Sequence, residues 1–151
     1  MEIFAENRKA RFNYEILEKF QAGLVLLGNE VKSIKLGRIQ IAGSYVVVRN
    51  GELFLIGSAI APYQPNNTPA GYNPERSKKL LVQKKEINEL MGKVKERGLT
   101  LVPLRVYDIP SGKIKLEFAL AKGKKKWDKR EALKKRDIDR EIQRTLRSGN
   151  A

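Results

Sequence analysis

Cysteine and histidine, the side chains behind much of enzyme chemistry, are both absent from all 151 residues. Their loss removes the thiolate nucleophile, the imidazole base, the His/Cys metal site and the disulfide framework together. The carboxylates that remain near one another are Glu15/Glu18 and Glu86/Glu89 on polar faces, and Asp137/Asp139 within a basic stretch; no phosphate-loop pattern accompanies them. Isolated pairs of this kind make poor general acid–base machinery. No enzyme, no cofactor and no metal site are therefore expected.

What the chain does carry is positive charge, 31 Lys+Arg against 17 Asp+Glu for a net +14. Half of that excess comes from Lys122 to Arg147, where twelve Lys or Arg face five Asp or Glu. A basic extension on a small body points to a polyanion. Its chemistry is that of a nucleic-acid reader. Lys122, Lys124, Lys125 and Lys126 can meet phosphates, while Trp127 offers a flat face on which a nucleobase stacks for roughly 1–3 kcal/mol. At about 100° per residue, a helix over residues 133–147 would gather Ile138, Ile142, Thr145 and Leu146 on one side and Arg136, Arg140, Arg144 and Arg147 on the other. Lys134 adds to the same charge. One narrow apolar stripe is too little to hold such a helix in water, so the tail is expected to be disordered alone and helical when bound.

The elements that must carry this tail read as strands with few helices. Phe12, Tyr14, Ile16 and Phe20 share one parity, as in a half-buried strand that Ala22-Gly23 would break, and Leu24 to Leu27 reads as a second, more buried strand. Asn29 to Gly37 is expected as a short helix, with Asn29 as its cap and Gly37 as its left-handed stop. Asn50-Gly51 lies between two apolar runs and predicts a tight type I′ hairpin. Pro62, Pro65, Pro69 and Pro74 make the next stretch a surface loop. Ile87, Leu90, Met91 and Val94 then mark one face of a helix that Gly98 closes. Thr100 to Tyr107 and Lys113 to Leu120 are the last strands, the first bulged or at an edge because of Pro103. Ile114, Leu116, Phe118 and Leu120 face inward and Lys113, Lys115 and Glu117 outward. About six strands with helices inserted fit a mainly β fold, a small closed antiparallel barrel of the oligonucleotide-binding type. The body is placed at residues 1–121 and the basic tail at 122–151.

Five blocks in this order, NRKARFNYEI, GNEVKS, SYVVVRNGELFLIG, KKLLVQKKEINELMGKVKERGLTLVPLRVY and LAKGKKKWDKREALKKRD, resemble the small protein B family across Asn7 to Arg147. The resemblance implies a non-enzymatic adaptor of trans-translation. Its barrel would hold the tRNA-like domain of transfer-messenger RNA and its tail would enter the empty decoding site and messenger channel of a stalled ribosome. Asp128, Lys129 and Arg130 match the family's tail motif, and Trp127 would stand against small-subunit ribosomal RNA. The body's RNA surface would include Gln21, Leu81 and Gln83, with Lys78, Lys79, Lys84 and Lys85 as basic support. Many relatives carry Glu in place of Gln21 and Asn or His in place of Gln83; a longer amide still hydrogen-bonds a base edge or a 2′-hydroxyl.

Two of the assignments rest on residue chemistry as well, and a third, Leu81, on family position alone. Asn7, Arg8, Lys9 and Arg11 form a candidate phosphate patch. Glu30 can cap the short helix through its dipole, orient Lys32, or accept a hydrogen bond from RNA, with the cap favoured. Leu81 is equally readable as core or contact. A cytoplasmic protein away from membranes is expected, since no window approaches the roughly 20 apolar residues of a spanning helix, and its expected partner state is a monomer in a 1:1 RNA complex. The alternative is a generic RNA chaperone or ribosome-associated RNA-binding module using the same barrel and tail.

Overall fold

The computed structural model describes residues 1–95 and 98–124. The tail expectations for Lys125, Lys126, Trp127, Asp128, Lys129, Arg130, Lys134, Arg136, Ile138, Arg140, Arg144 and Leu146 lie outside the described residues. In chain order the elements are β1 (Ile3–Glu6), α1 (Arg8–Asn13), β2 (Tyr14–Leu24), α2 (Gly28–Lys35), β3 (Ile39–Gln40), β4 (Tyr45–Arg49), β5 (Glu52–Ile56), β6 (Ala59–Ile60), β7 (Lys78–Leu81), α3 (Lys84–Val94), β8 (Leu99–Asp108) and β9 (Ile114–Gly123).

Six of these strands close a ring in the order β8-β4-β5-β7-β2-β9, with β9 pairing back to β8. Every ladder in it is antiparallel, so the mainly β barrel with inserted helices is what the chain forms. β1 lies outside the ring on β8, while β3 and β6 make a separate two-stranded ladder. The barrel is filled by Leu53, Leu55, Leu80, Leu101, Val106, Leu116 and Phe118, and Ile34 of α2 with Leu90 of α3 joins the same core. Phe20 stacks on Phe118 with ring centroids 5.5 Å apart.

The β4–β5 hairpin turns at Asn50 (φ 52°) and Gly51 (φ 73°), the two positive φ angles a type I′ turn requires. β2 departs from expectation in three ways. Phe12 belongs to α1, not to the strand. A bulge at Leu17, where the β9 register jumps between Ile16 and Glu18, reverses the parity. Tyr14 and Ile16 consequently pack on the barrel's outer face beneath α1 with Ala10, Val102, Leu104, Ala119 and Ala121, whereas Phe20 points into the core. Lastly, Ala22-Gly23 does not end the strand, and residues 25–27 form no second one. β2 runs through Gly23 and there exchanges partners, Gly23 standing opposite both Lys115 of β9 and Leu81 of β7. A Cβ on Gly23 would come within 3.3 Å of the Leu81 Cβ, which is why glycine suits this close corner of the ring.

β8 is bulged after Pro103, as expected, yet it is no edge strand: β9 pairs along one side, and β4 and β1 share the other. β9 runs to Gly123, so Lys122 lies in the ladder opposite Glu15 and Leu99. Gly37 (φ 77°) closes α2 as expected. Asn29 does not cap it; the residue before the helix is Leu27, and its N–H donates to the Glu30 carboxylate at 2.7 Å.

Candidate nucleic-acid interface

The surface around Leu81 is built by the corner at Gly23. Because β2 crosses from β9 to β7 there, Leu81 at the end of β7 has no strand beyond to cover it, and its side chain is 56% exposed. It is a ridge between two clefts. One, about 360 Å³, has an apolar floor of Leu24, Leu26 and Val31 and a basic rim of Lys113 and Lys115. The other, about 450 Å³, is bordered by Asn50, Lys79 and Lys84. Gln83 precedes α3 and is exposed, its side chain making no cap hydrogen bond. Gln21 is exposed on β2, opposite Glu117 of β9. The structure thus brings Leu81 and Lys84 to one cleft, with Gln21 two residues along β2 from Gly23 and Gln83 next to Lys84 in the chain, and an apolar ridge rimmed by ammonium groups can take an unstacked base while its phosphates meet lysine. Lys113 and Lys115 were legible as outward-facing but not as part of this surface. Leu26 was expected in a buried strand and Val31 only within the short helix; the loop from β2 to α2 brings both to this cleft instead.

Lys79 belongs to the border but is spoken for in part, donating to Glu52 at 3.0 Å. Lys78, expected on this basic surface, is instead an interior residue. Its side chain is 0% exposed, because the β7 register turns it inward, and its ammonium donates to the Ser58 hydroxyl and the Arg76 carbonyl, both at 2.8 Å. Burial lowers its pKa, with Glu30 opposing and Arg76 assisting. Lys78 cannot reach a phosphate from there.

Glu30 is likewise an interior group, 1% exposed. Arg76 grips it with two donors, Nη2 to Oε1 at 2.5 Å and Nε to Oε2 at 3.2 Å, and Nη2 also reaches the Val25 carbonyl at 3.2 Å. Burial by itself would raise the Glu30 pKa, but the Arg76 hydrogen bonds, the Leu27 amide and the Arg76 and Lys78 charges together hold it below 4.5. The pairing raises the Arg76 pKa in turn. Of the roles open to Glu30, helix capping is realised, and with Arg76 it ties residues 25–27 and the approach to β7 onto α2. RNA contact is closed to it. A pH dependence follows. A carboxyl with a folded value below 4.5 contributes stability that is whole above its unfolded value and is lost as pH falls through the folded one. Lowering the pH below about 4.5 should therefore erode the melting midpoint of the native chain more steeply than that of Glu30→Gln, as a set of thermal melts would register.

Lys32 is exposed on α2, its ammonium 5.5 Å from the centre of the Tyr63 ring. Glu30 does not orient it. Arg38 donates to the Tyr63 carbonyl at 3.2 Å and Tyr72 to the Ile60 carbonyl at 2.8 Å, pinning the proline-rich loop against the body.

At the other end of β2, Asn7 holds α1 to the β8 bulge, its Nδ2 donating to the Pro103 carbonyl at 3.0 Å and its N–H to the Leu104 carbonyl at 2.7 Å. Arg8, Lys9 and Arg11 are exposed on α1. Lys124 leaves the ladder beside them, donating its N–H to the Asn13 carbonyl and its ammonium to the Arg11 carbonyl, both at 3.0 Å. Among the described residues no cluster of three or more acidic, His or Cys side chains could hold a metal, and no helix is long and apolar enough to cross a membrane.

The family profile described as SmpB protein matches residues 4–148. The chain belongs to the SmpB family. It is 52% identical over 145 residues to the SsrA-binding protein of Sulfurihydrogenibium sp. (strain YO3AOP1), covering 96% of this chain and 94% of that one. The SsrA-binding protein of Solidesulfovibrio magneticus is 53% identical over 144 residues, with 95% and 92% covered. A solved chain from work described as "tmRNA-SmpB: a journey to the center of the bacterial ribosome" superposes with a TM-score of 0.67 at 44% identity, covering 85% of this chain and 93% of that chain.

Within an SmpB-family body the exposed Lys84 of α3 and the buried Lys78 of β7 should behave differently. Lys84→Met is expected to lower the slope of log affinity for RNA against log salt by roughly 0.7–0.9, one phosphate contact's worth. Lys78→Met, at the buried position, should leave that slope unchanged; titrations at several salt concentrations measure both.

Proposed function

We propose that this chain is the RNA-binding adaptor of trans-translation: its barrel binds the tRNA-like domain of transfer-messenger RNA and delivers it to stalled ribosomes, and its basic tail occupies the empty decoding site. Membership of a family whose relatives are SsrA-binding proteins, SsrA being the transfer-messenger RNA, supports the partner. The observation that carries the reading onto this chain's own surface is the exposed Leu81 ridge between two lysine-bordered clefts. Gln21, Leu81, Gln83, Lys79 and Lys84 form the body's contact with the RNA, and Lys32 adds charge from α2. Asn7 positions α1, on which Arg8, Lys9 and Arg11 are presented.

The division of labour assigns residues 1–121 to holding RNA and 122–151 to reading the ribosome. In the second part Lys122 and Lys124 begin the basic run, Lys125, Lys126, Lys129, Arg130, Lys134, Arg136, Arg140 and Arg144 meet phosphates, and Trp127 stacks on a ribosomal base. Asp128 completes the tail motif, while Ile138 and Leu146 supply the apolar side of a helix formed on binding. The adaptor performs no reaction itself; with neither Cys nor His in the chain, its contribution is placement. It works as a monomer, one per RNA, in the cytoplasm. A pull-down from bacterial lysate followed by sequencing of the retained RNA should return one dominant species, transfer-messenger RNA. A broad mixture of RNAs would favour the generic chaperone.

A further inference from the structure

On the outer face of the barrel one row of β2 side chains connects the Leu81 ridge with α1. Outside the bulges, successive outward positions on β2 are Lys19, Gln21 and Gly23, paired in turn with Ala119, Glu117 and Lys115 of β9. The next strand continues the middle and last rows with Arg105 and Tyr107 of β8. Lys19 and Gly23 are four strand residues apart, roughly 13 Å. At the Gly23 end lies the Leu81 ridge. At the Lys19 end lies a cleft of about 320 Å³ between α1 and the sheet, into which Arg8, Arg11, Lys19 and Arg105 project together with the carboxylates of Glu6 and Glu117.

Both carboxylates in that cleft are engaged by its own arginines. Glu117 receives Arg105 Nη2 at 3.0 Å, and Glu6 stands 3.7 Å from Arg8, whose side chain is 91% exposed. Four cations against two carboxylates leave an excess of two positive charges, those of Arg11 and Lys19. Glu117 holds the Arg105 guanidinium against the sheet, and the buried Arg105 Nε has no acceptor among the described residues. Asn7 fixes α1 to the bulge that brings Arg105 level with Glu117. Arginine and lysine donors on a shallow, preformed cleft suit backbone phosphate, not a base edge.

We infer that this cleft is a phosphate site for the RNA already held at the Leu81 ridge, so that one RNA strand is followed along β2 from Gly23, past Gln21, to Lys19 and α1. Lys19 and Arg105 thereby join the interface. The inference rests on the proposed function and lengthens its RNA surface.

Because the native chain has no cysteine, Lys9→Cys, on α1 but not lining the cleft, gives a unique attachment point for a photo-crosslinker, and Gln83→Cys gives one at the ridge. Both labelled proteins are mixed with the tRNA-like domain of transfer-messenger RNA and, separately, with purified small ribosomal subunits. Crosslinks from both positions to the tRNA-like domain, at different nucleotides, are expected. In the full chain, Arg11→Ala with Lys19→Ala should also lower the salt slope of tRNA-like-domain binding by roughly 1.4–1.8, two phosphate contacts, at an unchanged melting midpoint. Crosslinks from Gln83→Cys alone, or an unchanged slope, overturn the phosphate site and leave the adaptor reading standing. Crosslinks from Lys9→Cys to the small subunit alone also overturn it, since the cleft would then hold another RNA. Absence of crosslinks from either position, with no binding by native protein, overturns the adaptor reading as well.

Discussion

Ending the chain after Lys124 is expected to abolish tagging of nascent chains on stalled ribosomes while affinity for the tRNA-like domain stays within roughly tenfold, about 1.4 kcal/mol, of the full-length value. The cut falls after the last described residue of the body: β9 runs its ladder to Gly123, and Lys124 closes onto Asn13 and Arg11. Ten Lys or Arg and five Asp or Glu follow it. Their loss removes long-range attraction to RNA of any kind, hence the tolerance of a tenfold change, but no part of the Leu81 ridge or its clefts. Filter binding and a reconstituted translation reaction on a message lacking a stop codon measure the two quantities separately. Should the truncated chain lose about a hundredfold in RNA affinity, the tail and not the barrel would be the principal holder.

Glu30→Ala should lower the stability of the body by about 3 kcal/mol, because removing one partner of a buried ion pair strands the other. For a body of this size that amounts to a melting midpoint roughly 10 °C lower. The Glu30 carboxylate is the common acceptor for Arg76 and for the Leu27 amide, so its removal leaves three donors from two segments without their acceptor. Arg76→Ala should be similarly costly, and the double variant should cost less than the two losses added, as expected for groups acting on one another. Thermal melts of the three variants decide it. A midpoint within a degree or two of native for Glu30→Ala would mean that residues 25–27 are held by apolar packing alone.

The parts of the fold that were legible are those where local chemistry and tertiary position agree. Asn50-Gly51 can adopt two positive φ angles, and the hairpin forms there. Ile114, Leu116, Phe118 and Leu120 alternate and face inward. Bulges defeat such reading, because one extra residue at Leu17 sends Tyr14 and Ile16 to the opposite face from Phe20 without disturbing the printed alternation. α1 has only six residues, too few to show a helical period. The Glu30–Arg76 pair joins residues 46 positions apart, and nothing in the order of the chain links them. Lys78 follows the same logic: lysine is rarely buried, and only the β7 register and the Ser58 and Arg76 acceptors make it so. Gln21, Leu81 and Gln83 came from family resemblance; the structure supplies a physical reason for the second, an apolar side chain left outside at a corner of the ring.

The central claim is that the barrel holds one particular RNA. Competition tests it most directly: labelled tRNA-like domain of transfer-messenger RNA is bound by the full chain and challenged with a large excess of bulk tRNA at fixed salt. The adaptor retains the labelled RNA, and Leu81→Asp releases it. Loss of the labelled RNA in proportion to the competitor's concentration, from native protein and Leu81→Asp alike, would contradict the claim and leave only a basic protein that binds RNA through its phosphates.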